Sequence, residues 1–196
     1  FACNSIPKSL FVSLVSHYDA FLGDLIRVFL ESKDELLLAS EKSMPYSQIL
    51  ELGTVIEVKK YLIDKEVESV LRESHSAHFD WLEKRFSVSL RKELGIWPDF
   101  IELTERRNLF VHCDGVTSDQ YLTNCQKADC KLGELKKGTS LEVDEQYFRQ
   151  SYLVLIEIAV KLTHVLWRKI FPAQRSAADA NFNETAFNFL VDEKYA

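Results

Sequence analysis

Within Arg107-Asn108-Leu109-Phe110-Val111-His112, a fixed positive charge and a group that titrates near neutrality lie on one short segment. Set on a helix at about 100° per residue, Ile96, Phe100, Leu103 and Val111 form an apolar stripe, and Arg107 falls close to its centre. A guanidinium cannot be buried there unpaired, because the desolvated charge is very costly. Either a carboxylate pairs with Arg107, or the stripe opens into a cleft or a subunit interface. Asn108 and His112 are four apart and share one flank of the helix. His112 lies about 140° round the helix from Arg107, so one regular helix does not bring the two into contact. The arginine must reach round, or a second copy of the helix completes the site. A two-fold dimer does the latter by bringing one patch to face itself. His112 also sits at a helix end, where the carbonyl dipoles favour a protonated imidazole. Asp19, which follows His17-Tyr18 on the first helix, is the candidate acidic partner for Arg107 across the bundle.

Other reactive residues give weaker patterns. His75 and His78 have a spacing that could suit a metal, but no carboxylate or third histidine is evidently placed to join them. Cys113 adjoins His112, yet adjacent helical residues point about 100° apart and do not face one another. Cys125 and Cys130 are five apart, which could suit a metal or a disulfide, but with Cys3 and Cys113 they lack the paired short spacings of a zinc site. They read as free thiols of a reducing cytosol. No metal and no cofactor is expected.

The helices that must position these residues follow from punctuation and periodicity. Six glycines and four prolines in 196 residues are too few for the tight turns of a sandwich or barrel. A first helix is expected from about Pro7 to Ala39, with Leu10, Leu14, Phe21, Leu25, Val28 and Phe29 inward. Pro45 starts a short helix from Tyr46 to about Leu52, and Gly53-Thr54 restart the chain with Val55, Val58, Leu62 and Ile63 as the next stripe. One or two helices follow from Glu66 to Phe86, with Phe79, Leu82 and Phe86 inward. Trp97-Pro98-Asp99 opens the helix that carries Arg107, and Asp114-Gly115 ends it. Residues 116 to 142 form a looser connection with a short helix around 118–125, and 133 to 140 read as mobile.

Asp144 to Ile170 reads as a central helix about 40 Å long. Glu157, Lys161, His164 and Arg168 make it a buried helix rather than a membrane span. A last helix from Ala177 carries Phe182, Phe187, Leu190 and Val191, and its amphipathic end suggests that more protein follows. The expected organisation is one all-α domain over residues 1–175 and a helical extension over 176–196. No leader is legible at Phe1, and the expected location is the cytoplasm. The net charge of −6 argues against bulk electrostatic attraction to nucleic acid, so any such contact rests on a few placed cations.

The stretch Glu105-Arg106-Arg107-Asn108-Leu109-Phe110-Val111-His112-Cys113-Asp114-Gly115 resembles the RX4–6H motif of HEPN domains, with four intervening residues and a polar Asn directly after the Arg. With the following Asp119-Gln120-Tyr121-Leu122 it looks like the defence and abortive-infection branches of that superfamily. The resemblance covers roughly residues 10 to 171, and its specific content is this one segment. It implies a HEPN-like helical bundle and a homodimer whose motif helices face each other across a cleft. It further implies metal-independent endoribonuclease activity by attack of a ribose 2′-OH on the adjacent phosphate, as in a toxin or antiviral effector. His112 would act as general base or acid, Arg107 would stabilise charge on the phosphate, and Asn108 would orient His112 or bind a phosphate oxygen. Arg106 would assist substrate binding, and an antitoxin or regulatory partner is conceivable. Some members of the superfamily are non-catalytic modules for dimerisation or for binding RNA or a partner, which is the alternative expectation.

Overall fold

The structure is a computed structural model that describes the backbone of residues 2–38 and 43–195 and the side chains of 5–38 and 43–191. The described residues are all-helical apart from their connections and hold no strand, only one isolated bridge between Val116 and Ser140. The helices are α1 (Ala2–Ser32), α2 (Asp34–Leu38), α3 (Tyr46–Leu52), α4 (Val55–Leu71), α5 (His75–Phe86), α6 (Trp97–His112), α7 (Asp119–Lys127), α8 (Glu145–Ile170) and α9 (Arg175–Tyr195), with a 3₁₀ turn at Pro172–Gln174 between the last two. Among the described residues, no helix is long and apolar enough to cross a membrane.

Local chemistry sets most of these boundaries. Thr54, Ser74, Ser118 and Asp144 each turn an extended residue into an N-cap, accepting the backbone N–H of Glu57, Ala77, Tyr121 and Tyr147 respectively. A cap of this kind contributes about 1 kcal/mol. The break between α4 and α5 is therefore written into Ser74, and it places His75 at the first residue of α5. Pro172 follows the end of α8 because it can neither donate to the ladder nor fit beneath it.

α1, α4, α6 and α8 form the bundle. α1 runs antiparallel to α6: Phe11 meets Phe110 edge-on at 5.7 Å, and Tyr18 meets Phe100 at 5.3 Å. Phe100 is the hub of an aromatic cluster, with Phe79 and Trp97 each 5.6 Å away. Gly23 lets α4 come close, since a Cβ there would meet Leu71 Cδ1 at 3.0 Å. A small second cluster of Leu109, Tyr121, Cys125 and Leu141 fixes α7 against the back of α6.

Three expectations from sequence are corrected. α1 begins before Pro7 and stops at Ser32, and the expected end at Ala39 lies outside the described residues. Its buried stripe is Phe11, Val15, Tyr18, Leu22, Ile26, Phe29 and Leu30, whereas Leu10 and Val28 are exposed. The helix is apolar on more than one face, and the three neighbours chose the face. In α9, Phe187 and Leu190 are exposed, and docking onto α8 runs through Phe182, whose ring centroid lies 5.1 Å from that of His164, together with the buried Ala178, the Arg168–Asp179 ion pair and a hydrogen bond of His164 with Asn181. The segment 133–140, expected to be mobile, is pinned to the start of the connection. Thr117 exchanges backbone bonds with Thr139 and Gly138, and its buried hydroxyl donates to the Lys136 carbonyl at 2.6 Å.

Asp114 and Gly115 both take positive φ to close α6, and a Cβ on Gly115 would lie 2.8 Å from the Phe110 ring and 3.1 Å from the Leu141 carbonyl oxygen. Gly133 also has positive φ but faces open space. Gly115→Ala should therefore cost roughly 2–3 kcal/mol in urea denaturation and Gly133→Ala only about 1 kcal/mol. Equal losses would contradict the close packing of this turn.

Candidate functional site

α6 leaves the core as it runs. Phe100 and Thr104 are fully buried on the stripe, Arg107 one turn on has a side chain 24% exposed, and Val111 is 49% exposed. The stripe predicted to carry Arg107 thus opens at its end onto a cavity of about 380 Å³, whose walls include Asp19, His75, Glu105, Arg107, Asn108 and His112. Arg72 and Glu73, at the corner between α4 and α5, line it as well.

Arg107 meets both of the conditions that its position imposed. Its Nη2 donates to Asp19 Oδ2 at 3.0 Å across the bundle, and its Nη1 donates to Asn108 Oδ1 at 3.1 Å. Its Nε is buried and has no hydrogen-bond partner. Asp19 is shared: its Oδ1 lies 2.9 Å from His75 Nε2. Burial works against ionisation of Asp19, but the hydrogen bond from His75 and the charges of His75 and Arg107 outweigh it and hold the carboxyl below its ordinary range. An ionised carboxylate can only accept, so Nε2 carries the proton of His75.

Arg107, Asn108 and His112 therefore line one cavity within a single chain, although no hydrogen bond joins His112 to Arg107. His112 is exposed at the last residue of α6. Arg106 is placed elsewhere. Its Nε donates to Glu102 Oε1 at 2.7 Å, its Nη1 reaches the Glu142 carbonyl oxygen at 3.3 Å, and its guanidinium stacks 3.9 Å over the Tyr147 ring. Glu102 also accepts the hydroxyls of Tyr121 at 2.6 Å and Tyr147 at 2.8 Å. Arg106 thus ties α6 to α7 and α8 and does not line the cavity.

Two residues enter that were not singled out from sequence for this site. Glu105 lies three and seven positions before Asn108 and His112, on the same flank of α6, and that register was the legible signal. Burial pushes its carboxyl up, opposed by a hydrogen bond with Asn124 and by the charge of His75. His75 had no such signal, because it meets Asp19 and the α6 residues only through the fold. Behind it, His78 is 2% exposed, its ring centroid 5.0 Å from that of His75, and neither of its ring nitrogens has a hydrogen-bond partner. Among the described residues, no three His, Cys, Asp or Glu side chains are grouped so as to hold a metal ion. Cys113 is exposed beside the cavity, Cys125 is buried and Cys130 half-buried, all as free thiols, while the side chain of Cys3 lies outside the described residues.

The cavity offers a guanidinium held on two sides, an exposed imidazole and a carboxylate–imidazole pair. Such a set can bind an oxyanion and move protons beside it.

Burial, with the nearby charge of His75 adding to it, pushes His78 down to about 4 from 6.5. The unfolded chain binds this proton at the higher pH, so stability is full above about 6.5 and falls as pH drops towards 4, by up to about 3 kcal/mol. The depressed Asp19 adds its own loss only below the ordinary carboxylate range. His78→Leu should flatten urea-denaturation stability between pH 6.5 and 4, and an unchanged slope would show that another group is responsible. No family model, curated protein or solved structure matches this chain.

Proposed function

We propose that this chain is a HEPN-type, metal-independent endoribonuclease that acts as a homodimer, in the manner of a cytoplasmic toxin or antiviral effector. The observation that carries the reading is the convergence of Arg107, Asn108 and His112 on one open polar cavity. A guanidinium presents planar forked donors to phosphate oxygens. Each Nη of Arg107 keeps a second N–H for this while Asp19 and Asn108 fix the guanidinium plane. His112 transfers a proton as the ribose 2′-oxygen attacks the adjacent phosphorus. The bond from phosphorus to the 5′-oxygen breaks, leaving a 2′,3′-cyclic phosphate and a 5′-hydroxyl. The nucleophile is the substrate's own hydroxyl, so DNA is not cleaved. Asn108 acts by holding Arg107, and Arg106 acts on the fold of α6 rather than on RNA.

The acidic chain binds through few cations, so the affinity for RNA should depend only weakly on salt. Val111 and Val116 are exposed beside His112, and Ile6 and Leu10 are exposed on the part of α1 that packs against this end of α6. They give a second copy, or an antitoxin-like partner, apolar surface to cover next to the cavity mouth. One observation favours the alternative of a non-catalytic module that dimerises or binds RNA or a partner: both Nη atoms of Arg107 are already engaged within the chain.

With single-stranded RNA in EDTA, the wild type should cleave and leave cyclic phosphate ends. His112→Ala and Arg107→Ala should each lose about 10²–10⁴-fold in rate, and Arg106→Ala should mainly lose stability. RNA binding without cleavage would establish the alternative, and full activity in both site variants would remove the site from the reaction.

A further inference from the structure

Transphosphorylation moves two protons, one off the 2′-oxygen and one onto the departing 5′-oxygen, and His112 is one group. Resting on the ribonuclease reading, we infer that His75, oriented by Asp19, is the second: His75 Nδ1 takes the proton of the 2′-hydroxyl, and His112 gives one to the 5′-oxygen, both within one subunit. The geometry supplies the argument. Asp19 Oδ1 fixes the proton of His75 on Nε2, so the other ring nitrogen is the basic one. His75 is 7% exposed, its ring bonds Asp19 through Nε2, and the residue lines the cavity wall. His75 and His112 line the same cavity, and so does Arg107, which bonds Asp19 on one side and Asn108 on the other.

His75 is the first residue of α5 and His112 the last residue of α6, so the two imidazoles reach the cavity from different helix ends. When His75 takes its proton, the new charge forms against the Asp19 carboxylate. The other groups that face His75 are Tyr18 from α1, His78 from its own helix, and Phe100, Glu105 and Arg107 from α6, with Arg72 and Glu73 on the wall of the cavity. Glu105 and Arg107 oppose each other in sign, which leaves Asp19 as the directional partner. His78 is buried against the ring, the two centroids 5.0 Å apart.

The test uses an RNA oligonucleotide with one scissile linkage, made either with the normal 5′-oxygen or with a bridging 5′-sulfur, which departs as a thiolate without needing a proton. His112→Ala should lose about 10²-fold or more on the oxygen linkage and recover to within about tenfold of wild type on the sulfur linkage. His75→Asn should lose a similar factor on both linkages. The fall of kcat/KM towards low pH, present in the wild type and in His112→Ala, should vanish in His75→Asn. Helix content by circular dichroism checks that the variant folds. If it does not, Asp19→Asn, which keeps the imidazole but removes its carboxylate, should move that same limb of the profile and leave the sulfur linkage unrescued. Mixing the His75→Asn and His112→Ala proteins should restore nothing, because each cavity needs both groups. A His75→Asn rate within threefold of wild type, rescue of that variant by sulfur, an Asp19→Asn profile unchanged, or recovery on mixing would overturn the inference while leaving the ribonuclease reading in place. A folded wild type that cleaves neither linkage would overturn both.

Discussion

The Asp19 carboxylate stands where α1, α5 and α6 meet, and it is bonded on one oxygen to His75 and on the other to Arg107. A partly buried guanidinium without a carboxylate would destabilise the bundle by several kcal/mol, and a partly buried carboxylate without donors would do the same. Each therefore makes the other tolerable. The consequence reaches beyond the pair. Arg107 can occupy the apolar stripe of α6 only because α1 runs alongside it in this register, and the first side chain of α5, whose start Ser74 caps, takes the other oxygen of that carboxylate. The cavity is the space left in front of this junction as α6 rises out of the core.

Two adjacent arginines illustrate how strongly neighbours decide role. Arg106 and Arg107 have identical side chains and differ by one step of about 100°. That step turns Arg106 towards Glu102, Tyr121 and Tyr147, where its charge and its flat face are both used, and it turns Arg107 towards the cavity wall, where Asp19 and Asn108 hold it. The Arg106 cluster holds α6 to α7 and α8. It is a structural reason for Arg107 and His112 to keep their positions at an exposed helix end that would otherwise fray.

Much of the positioning came from local chemistry and was legible. The extent of α6, the restart at Thr54, the cap at Asp144 and the exit at Asp114-Gly115 all rest on interactions within a few residues. The stripe through Phe100, Leu103 and Arg107 was legible for the same reason, since a periodicity needs no knowledge of partners. The face of α1 was not. Leu10 and Val28 were as apolar as Phe11 and Ile26, and only the presence of α4, α6 and α8 on one side buried one set and left the other in solvent. In α9, likewise, Phe182 packs on α8 while Phe187 and Leu190 stay in solvent.

The sequence by itself determined that the chain is helical, where its capped helices begin, and that Arg107, sitting in an apolar stripe, must find a carboxylate or an opening. Those are consequences of propensity, capping and the cost of a buried charge, and they act at short range. The tertiary structure alone decided which carboxylate answered, that the stripe opened as well, and that His75 joined the junction. His75 lies 56 residues from Asp19, and no local rule links positions so far apart. Their meeting depends on the crossing of α1 with α5 and α6, which is a property of how whole faces pack.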